Sequence, residues 1–283
     1  MSPFKRTPAI HSADTTLNTV YSTPDDIMSA PGPIDEVTAP VKVGAGSFGA
    51  VFVVRGGPVA FKIAHVLEHH ETLRREYEAL TYLYGNSTSF FRIPKPFAFH
   101  YSQDNILLAA QPTLRSPPNT RTVYRQPAPV DRSFFDVLQN DNPVYAMSRV
   151  FALPANIGAQ ISAKFLPDGI TAGPNLLRLY FGKTLASNNS PRFINTANFP
   201  MDLFRYEWLR TVVGEKLRMD LPSAEEVALE IGETLGRIHW SGGYDGRDIE
   251  FVMGGDGFAN VEFYVIDFNQ VCRLYKGSNA KCF

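Results

Sequence analysis

Three glycines, a lysine and a glutamate in the first third of the chain have the types and the order needed to bind a phosphorylated ligand. Gly44, Gly46 and Gly49 form the pattern G-x-G-x-x-G, with strand-forming sequence on both sides. Glycines let backbone amides approach an anion, because no Cβ intervenes. Lys62 lies in the apolar segment VAFKIA, which would direct its ammonium under the glycines, and Glu76 follows where it could pair with Lys62. The alternatives are a hairpin that binds no ligand and a lysine and a glutamate that both face solvent.

A second group of polar residues follows His239, near the end of the sequence. The segment YDGRDIEFVM contains three carboxylates, those of Asp245, Asp248 and Glu250. Carboxylates this close either bind a cation or raise one another's pKa. The planar donor fork of a guanidinium, as in an arginine substrate, also suits paired carboxylates. The alternative is a structural acidic turn.

The first half of the sequence contains the elements that must position the glycines and the lysine. The β-rich sequence of residues 41–54, a Gly56-Gly57 turn and the segment VAFKIA predict a hairpin and a third strand. Within residues 71–84, apolar side chains recur at spacings of four, three and four, which predicts an amphipathic helix. Residues 93–110 and 144–153 predict further strands.

The last third predicts a helix and then a hairpin. Ser223 and Glu226 form a capping box, and an apolar stripe with helical spacing continues to Ile238, so the helix should end near His239. The segments FVM and VEFYVIDF flank a GGDG turn, which predicts a β-hairpin. The acidic turn of residues 245–250 lies between these two elements.

This order of elements resembles that of protein kinases. Asp245 occupies the place of the catalytic Asp in H-R-D-x-x-x-x-N, Glu250 the place of the Asn, and Asp267-Phe268-Asn269 the place of D-F-G. The resemblance implies an α+β, protein-kinase-like fold of two lobes. Because 16 residues of the 283 follow Asp267, the C-terminal lobe would be truncated and would lack a platform for protein substrates.

The resemblance also implies a division of the chain. Residues 1–37, rich in Pro, Ser, Thr and Asp, are expected to be a disordered leader. Residues 38–153 would form the N-terminal lobe, with a Pro/Arg-rich insertion at 111–132. Residues 154–283 would form a helical C-terminal lobe that carries the catalytic-loop hairpin.

A narrower resemblance covers the chain from about Val41 onward. A fungal group of kinase-like proteins carries the signature H-W…D-x-x-D-x-E-F-V…D-F-N-Q, which this sequence matches from His239 to Gln270. The group is associated with the arginine-containing cyclodipeptide synthases. Those enzymes use aminoacyl-tRNA to make cyclic dipeptides that contain arginine.

This resemblance implies an aminoacyltransferase of secondary metabolism that requires no cofactor. Asp245, Asp248 and Glu250 would serve as general base and as the clamp on the arginine side chain or its α-amine, with the roles not divided among them. The partners would be arginyl-tRNA and a second aminoacyl-tRNA, bound by the locally basic segments 111–132 and 174–218. The cleft would be lined by Gly44, Gly46, Gly49, Lys62, Glu76 and His239.

Two other functions fit the same residues. An ATP-dependent small-molecule phosphotransferase would place the glycines and Lys62 on the phosphates, Asp267 on magnesium and Asp245 as base, so its cofactors would be ATP and Mg²⁺. A pseudokinase that serves as a binding module would function without the carboxylates. The three functions therefore differ in what the carboxylates must do.

Composition narrows the partners and the location. Lysine and arginine total 27 against 28 acidic residues, so the net charge of −1 provides no overall field to attract a polyanion. Two cysteines are too few for a disulfide framework, which favours a reducing compartment. No secretory signal is evident, and no apolar run approaches the roughly 18 residues of a membrane span. We therefore expect a cytoplasmic protein that binds no DNA and no membrane.

Overall fold

The computed structural model describes residues 39–86, 90–110, 130–167, 173–185, 197–269 and 272–273. These residues form a mixed α+β structure with two main β-sheets. The α+β class that the sequence predicts is therefore confirmed. The predicted leader, residues 1–37, lies outside the described residues, as do positions 111–129 of the predicted Pro/Arg-rich insertion.

The first sheet contains the hairpin and the third strand that were predicted around the glycines. Its six strands are β1 (Pro40–Ala45), β2 (Gly49–Val54), β3 (Val59–Ala64), β4 (Pro96–Tyr101), β5 (Ile106–Ala109) and β6 (Val144–Ser148). They lie in the order β1-β2-β3-β6-β4-β5, and all neighbours are antiparallel. Lys62 therefore lies on an interior strand, where both neighbouring strands cover its backbone.

The helix predicted within residues 71–84 packs on this sheet. Helix α1 (His70–Asn86) buries Leu73, Tyr77 and Leu80, and it contacts β4 and β6. The ring of Tyr77 lies 6.0 Å from that of Tyr145 on β6. The same side of α1 carries Glu76, which is only 2% exposed. A glutamate buried to this extent needs a partner inside the protein.

The second sheet joins the predicted C-terminal hairpin to two strands that the sequence interpretation missed. Its strands are β7 (Leu176–Leu179), β8 (Asn198–Met201), β10 (Glu250–Gly255) and β11 (Val261–Ile266). They lie in the order β11-β10-β7-β8, with β7 and β8 parallel and the other pairs antiparallel. A separate short pair is formed by β9 (Tyr244–Asp245) and β12 (Cys272–Arg273).

The described parts of residues 174–218 are not the basic insertion that the sequence interpretation assumed. Strands β7 and β8 bury alternate side chains, and helix α3 (Leu203–Leu217) buries three at spacings of three and four, namely Leu177, Leu179, Phe199, Met201, Tyr206, Leu209 and Val213. The interpretation was wrong because each strand has only four residues. Alternation over so short a run is a weak signal beside seven basic side chains.

Two further helices complete the second part of the chain, α2 (Ala155–Phe165) and α4 (Ala224–Gly236). The predicted capping box starts α4, since Glu226 N donates to Ser223 Oγ and Ser223 N donates to Glu226 Oε2. Helix α4 continues into a π-helical turn, Arg237–Ser241, so the helical stretch ends close to His239 as predicted. Among the described residues, no helix has the length and apolar character of a membrane span.

Candidate functional site

Lys62 lies between two carboxylates that come from distant parts of the chain. Its Nζ donates to Glu76 Oε1 at 2.5 Å and to Asp267 Oδ1 at 3.1 Å. The structure therefore contains the predicted Lys62–Glu76 ion pair and joins Asp267 to it, across 205 positions of sequence. Burial alone would lower the pKa of Lys62, but the charges of Glu76 and Asp267 outweigh burial and raise that pKa. The lysine is thus a buried, permanently protonated ammonium at neutral pH.

Tyr145 is a member of this group that sequence reasoning missed. Its hydroxyl donates to Glu76 Oε1 at 2.9 Å, the same oxygen that accepts from Lys62. Tyr145 lies directly opposite Lys62 in the pairing of β3 with β6, which brings both side chains to α1. Burial and the Glu76 charge raise the pKa of Tyr145, so its hydroxyl remains a donor. A tyrosine in an apolar strand carries no such signal until the strand register is known.

Asp267 has an unusual backbone conformation at the end of β11. Its φ is 63°, in the left-handed region that residues with a Cβ rarely adopt. Such a conformation costs about 1–3 kcal/mol and persists only where the surroundings impose it. The buried ring of Phe268 anchors the next position. The turn brings the Asp267 carboxylate to Lys62 while leaving that side chain 30% exposed, so Asp267 is partly accessible to solvent.

Glu250 belongs to a group of interacting charged side chains with Lys62, Glu76, Asp267 and Arg178, which we call the cleft. It begins β10 and pairs with Ile266 of β11, which places it beside Asp267. Arg178 of β7 forms an ion pair with Glu250 Oε1, and Asn198 Nδ2 of β8 donates to Oε2 at 2.8 Å. Burial raises the pKa of Glu250, helped by the negative charge of Asp267 and opposed by Arg178, Asn198 and Lys62. Glu250 therefore lies within electrostatic reach of both Lys62 and Asp267.

Asp245 and Asp248 do not join Glu250 in a single acidic cluster. Asp245 lies on β9 and accepts from Arg247 Nη2 at 3.1 Å. The leading charge effects on the pKa of Glu250 come from Arg178, Asp267 and Lys62. In the part of the chain that the structure describes, no three acidic, histidine or cysteine side chains are placed to hold a metal ion. Glu250 is thus paired with Arg178 and Asn198 and Asp245 with Arg247, and the joint action of the three carboxylates stays a prediction.

His239 supports the acidic turn. Gly246 N donates to His239 Nε2 at 3.1 Å, so the neutral ring carries its proton on Nδ1. This bond joins the π-helical turn to the residue after Asp245. Nothing in the described residues brings His239 to Lys62 or Glu250, although we predicted it in the same cleft. Its observed contact holds the start of the acidic turn in place.

The glycine hairpin is closed by hydrogen bonds of its own. Gly46 N donates to Gly49 O at 2.8 Å, and His65 N donates to Phe48 O at 3.0 Å. The ring of His65 also bonds Gly46 O through Nε2, at 2.9 Å. These contacts join the tip of the β1–β2 loop to the residue that follows β3. The loop therefore has a defined conformation above the strand that carries Lys62.

The three glycines of this hairpin differ in their packing, which leads to a testable difference. A Cβ on Gly49 would lie 2.5 Å from Ile63 O, whereas one on Gly46 would meet nothing closer than 3.8 Å. We expect Gly49→Ala to lower the free energy of unfolding by about 1–3 kcal/mol through overpacking. Gly46→Ala, the matched control, should change it by less than about 0.5 kcal/mol. Urea unfolding measures both, and equal effects would contradict this packing.

The basic residues of 174–218 largely bind within the protein. Arg178 pairs with Glu250, Arg205 donates to Pro200 O, Arg210 donates to Leu221 O, and Lys216 donates to Gln160. The Arg210 side chain is still 41% exposed. The tRNA surface expected over residues 174–218 stays a prediction. The arginines of the other basic segment, apart from Arg132, lie outside the described residues.

The cleft thus combines two cations, Lys62 and Arg178, with three carboxylates, Glu76, Glu250 and Asp267. Fixed charges of both signs in a partly buried site can bind a polar substrate, and Glu250 can exchange a proton with it. Comparison of the chain with protein-family models, curated proteins and solved structures found no match.

Proposed function

We propose that this protein is an aminoacyltransferase with a protein-kinase-like, two-lobed fold and a shortened C-terminal lobe. It would use arginyl-tRNA and a second aminoacyl-tRNA to form an arginine-containing cyclic dipeptide. Support for the fold comes from the order of elements, with a lysine on the third strand, its glutamate on the next helix, and an aspartate at the end of a late hairpin. Support for the activity comes from the resemblance around His239–Gln270.

The observation that carries this proposal is the placement of Glu250. At the position where a kinase has a metal-binding asparagine, this chain has a partly buried carboxylate that is already ion-paired with Arg178. An ion-paired carboxylate is a poor second ligand for magnesium, but its raised pKa suits general acid–base catalysis. Aminoacyl esters are already activated, so their reaction needs positioning and proton transfer and no ATP.

Glu250 would act as the base in both steps of the reaction. The α-amine of one aminoacyl group attacks the ester carbonyl of the other, an amide bond forms, and the ester C–O bond breaks. Glu250 accepts the proton lost by the amine and returns it to the departing ribose hydroxyl. The α-amine of the transferred residue, now the N-terminus of a dipeptidyl-tRNA, then attacks the remaining ester in the same way, which closes the ring and releases the second tRNA.

Asp245 and Asp248 would bind the arginine side chain of the substrate. Asp245 already accepts from the guanidinium of Arg247, whose side chain is 71% exposed. An exposed pair of this kind contributes little stability. A substrate guanidinium can therefore displace Arg247 from Asp245, whereas the more buried Arg178–Glu250 pair would stay intact. This divides the carboxylates into one base and two substrate ligands.

A second candidate function is an ATP-dependent phosphotransferase that acts on a small molecule. It is favoured by the contacts of Lys62 with Glu76 and Asp267 beneath a glycine hairpin. These are the residue types that kinases use to hold ATP phosphates and magnesium. Lys62 would contact the phosphates, and Asp267 would bind Mg²⁺ through the oxygen that Lys62 does not contact. The Arg178–Glu250 pair argues against this function, because it occupies the side chain that would have to bind a second Mg²⁺.

One comparison separates the two candidates. Purified protein is incubated with arginyl-tRNA and a mixture of other aminoacyl-tRNAs without ATP, and separately with Mg²⁺-ATP and candidate small molecules. Mass spectrometry detects a cyclic dipeptide, and a coupled assay detects ADP. Cyclic dipeptide without ATP supports the synthase. ADP that disappears in Asp267→Ala, with no dipeptide formed, would show that the protein is a phosphotransferase.

The proposed arginine clamp gives a prediction of its own. Asp248→Asn should lower kcat/KM for arginyl-tRNA at least tenfold, because a neutral amide binds a guanidinium less tightly than a carboxylate. The KM for the second aminoacyl-tRNA should stay unchanged. Steady-state rates with one substrate varied at a time measure both. Asp256→Asn, in the turn between β10 and β11, is the matched control and should leave both values as they are.

A further inference from the structure

Each oxygen of Glu250 has its own partner, and both partners come from strands that sequence reasoning missed. Arg178 of β7 pairs with Oε1, and Asn198 of β8 donates to Oε2 at 2.8 Å. We infer that Arg178 and Asn198 are positioning residues that hold the Glu250 carboxylate in one orientation in the cleft. The inference deepens the proposed function and rests on it for its catalytic meaning. The contacts themselves do not depend on the reaction.

Strand register explains how three distant residues meet. Val252 of β10 pairs with Arg178 of β7, and Leu176 of β7 pairs with Asn198 of β8. Because side chains alternate between the two faces of a sheet, Glu250, Arg178 and Asn198 all lie on one face. Arg178 then reaches Glu250 diagonally across the β7–β10 pair. Asn198 lies farther along the same face, and its side-chain amide reaches Glu250 Oε2 from β8.

The guanidinium of Arg178 is itself held in place. Its Cζ lies 4.9 Å from the centroid of the Tyr180 ring, within the range of a cation–π contact. The Arg178 side chain is 31% exposed, against 15% for Glu250. The ring and the carboxylate together restrict the arginine, so it can act as a fixed donor instead of a mobile surface charge. Tyr180 follows β7 directly, so the same segment supplies both the arginine and the ring under it.

Positioning matters here because of the charges that surround Glu250. Arg178 and Asn198 face it from the second sheet, Asp267 from the end of β11, and Lys62 from β3. Without Arg178, the carboxylate would keep the repulsion of Asp267 and lose its nearest cation. The pKa of Glu250 would then rise further, so a smaller fraction of the molecules would carry the ionised carboxylate that can act as base. With both partners present, each oxygen still has a lone pair free for proton transfer.

A titration tests the inference without any assay of activity. The protein is labelled with ¹³C at glutamate side-chain carboxyls, and the Glu250 signal is assigned by its absence in Glu250→Gln. We expect Arg178→Ala to raise the pKa of Glu250 by about one pH unit or more, a tenfold change in its dissociation constant. Arg178→Lys should restore most of the wild-type value, and Asn198→Ala should raise it less than Arg178→Ala does. An unchanged pKa in Arg178→Ala would overturn the inference.

The matched control is an ion pair whose glutamate lies on the same β10–β11 hairpin as Glu250. Arg92 forms an ion pair with Glu262 of β11, away from the cleft end of that hairpin. Arg92→Ala removes a similar arginine–glutamate pair and should leave the pKa of Glu250 unchanged. If Arg178→Ala does not fold, Asn198→Ala decides instead, since loss of that donor must also raise the pKa of Glu250. An unchanged value in that variant would overturn the positioning role of Asn198.

Kinetics then separate a positioning role from a structural one. In Arg178→Ala, kcat should fall at least tenfold at neutral pH while KM for arginyl-tRNA changes little, and the acidic limb of the pH–rate profile should move to higher pH. Added guanidinium ion should restore part of kcat in Arg178→Ala and none in Glu250→Gln. Absence of cyclic dipeptide from the wild-type protein would remove the proposed function. The titration would still decide whether Arg178 and Asn198 hold Glu250.

Discussion

Glu250→Gln should reduce the rate of cyclic dipeptide formation by about 10²–10⁴-fold, the range that general acid–base groups contribute. Glutamine has the same shape and can still accept from Asn198, but it cannot take the proton of the attacking amine. The effect should therefore fall on kcat and leave KM for both aminoacyl-tRNAs nearly unchanged. Single-turnover rates with saturating aminoacyl-tRNA measure the loss directly. Because Arg178 is partly exposed, its guanidinium can be hydrated by solvent when residue 250 is a neutral glutamine.

The matched control for this substitution is Glu262→Gln on β11. Glu262 pairs with Arg92 on the same hairpin, so the change removes one glutamate charge from the same element without touching the cleft. We expect its rate to stay within twofold of the wild type. A Glu250→Gln variant that keeps more than half of the wild-type rate would show that Glu250 is not the base. Asp245 and Asp248 would then be the carboxylates to test.

Lys62→Met should lower the free energy of unfolding by about 3–5 kcal/mol, because it leaves a buried carboxylate without its cation. Glu76 is 2% exposed, and its remaining partner, Tyr145, is a neutral donor. Urea or guanidinium unfolding measures the change. Lys42→Met is the control: Lys42 is an exposed lysine on β1 of the same sheet, and the change should alter stability by less than about 0.5 kcal/mol. The double variant Lys62→Met/Glu76→Gln should recover a large part of the loss.

The pH dependence of these variants follows from the same pair. In the wild type, the pKa of Lys62 is raised above its ordinary value of 10.5, so the stability from this shift is fully present below pH 10.5. It is lost as pH rises through the higher pKa of the folded state. Burial already raises the pKa of Glu76 in the wild type, against the lowering effect of the Lys62 charge. Lys62→Met removes that lowering effect, so the pKa of Glu76 rises further and the variant loses more stability than the wild type as pH increases through and above the ordinary glutamate range. The free energy of unfolding that Lys62→Met loses relative to the wild type should be smaller at pH 5 than at pH 8. Equal losses at the two pH values would mean that Glu76 is not charged in the folded variant at pH 8.

Local patterns in the sequence were sufficient to predict the helices and strands that have a long apolar repeat or clear turn residues. Helix α1, the capping box and course of α4, and the β1–β2 and β10–β11 hairpins all follow from spacing and turn residues. Strands β7 and β8 do not, because four residues give too few alternations to separate a strand from a loop. Helix α3 was hidden for a related reason, since its three fully buried positions are mixed with basic and polar side chains.

The candidate site shows the same division. The pair of Lys62 with Glu76 could be predicted, because the two residues are 14 positions apart on a strand and the helix that follows it. The partners of Glu250 could not be predicted, because Asn198 is 52 positions away and lies on a strand that the sequence does not reveal. The three nearby carboxylates also could not be divided by spacing alone, since a turn allows each side chain a different direction.

Residue types and their order by themselves determined that this chain is α+β and that a glycine hairpin precedes a buried lysine. They also determined which carboxylates are close along the sequence. Only the tertiary structure decided which charges meet: Lys62 with Asp267, Tyr145 with Glu76, and Glu250 with Arg178 and Asn198. The physical reason is range. Hydrogen bonds and ion pairs act over a few ångströms, so residues far apart in sequence interact only after sheet pairing has brought them together.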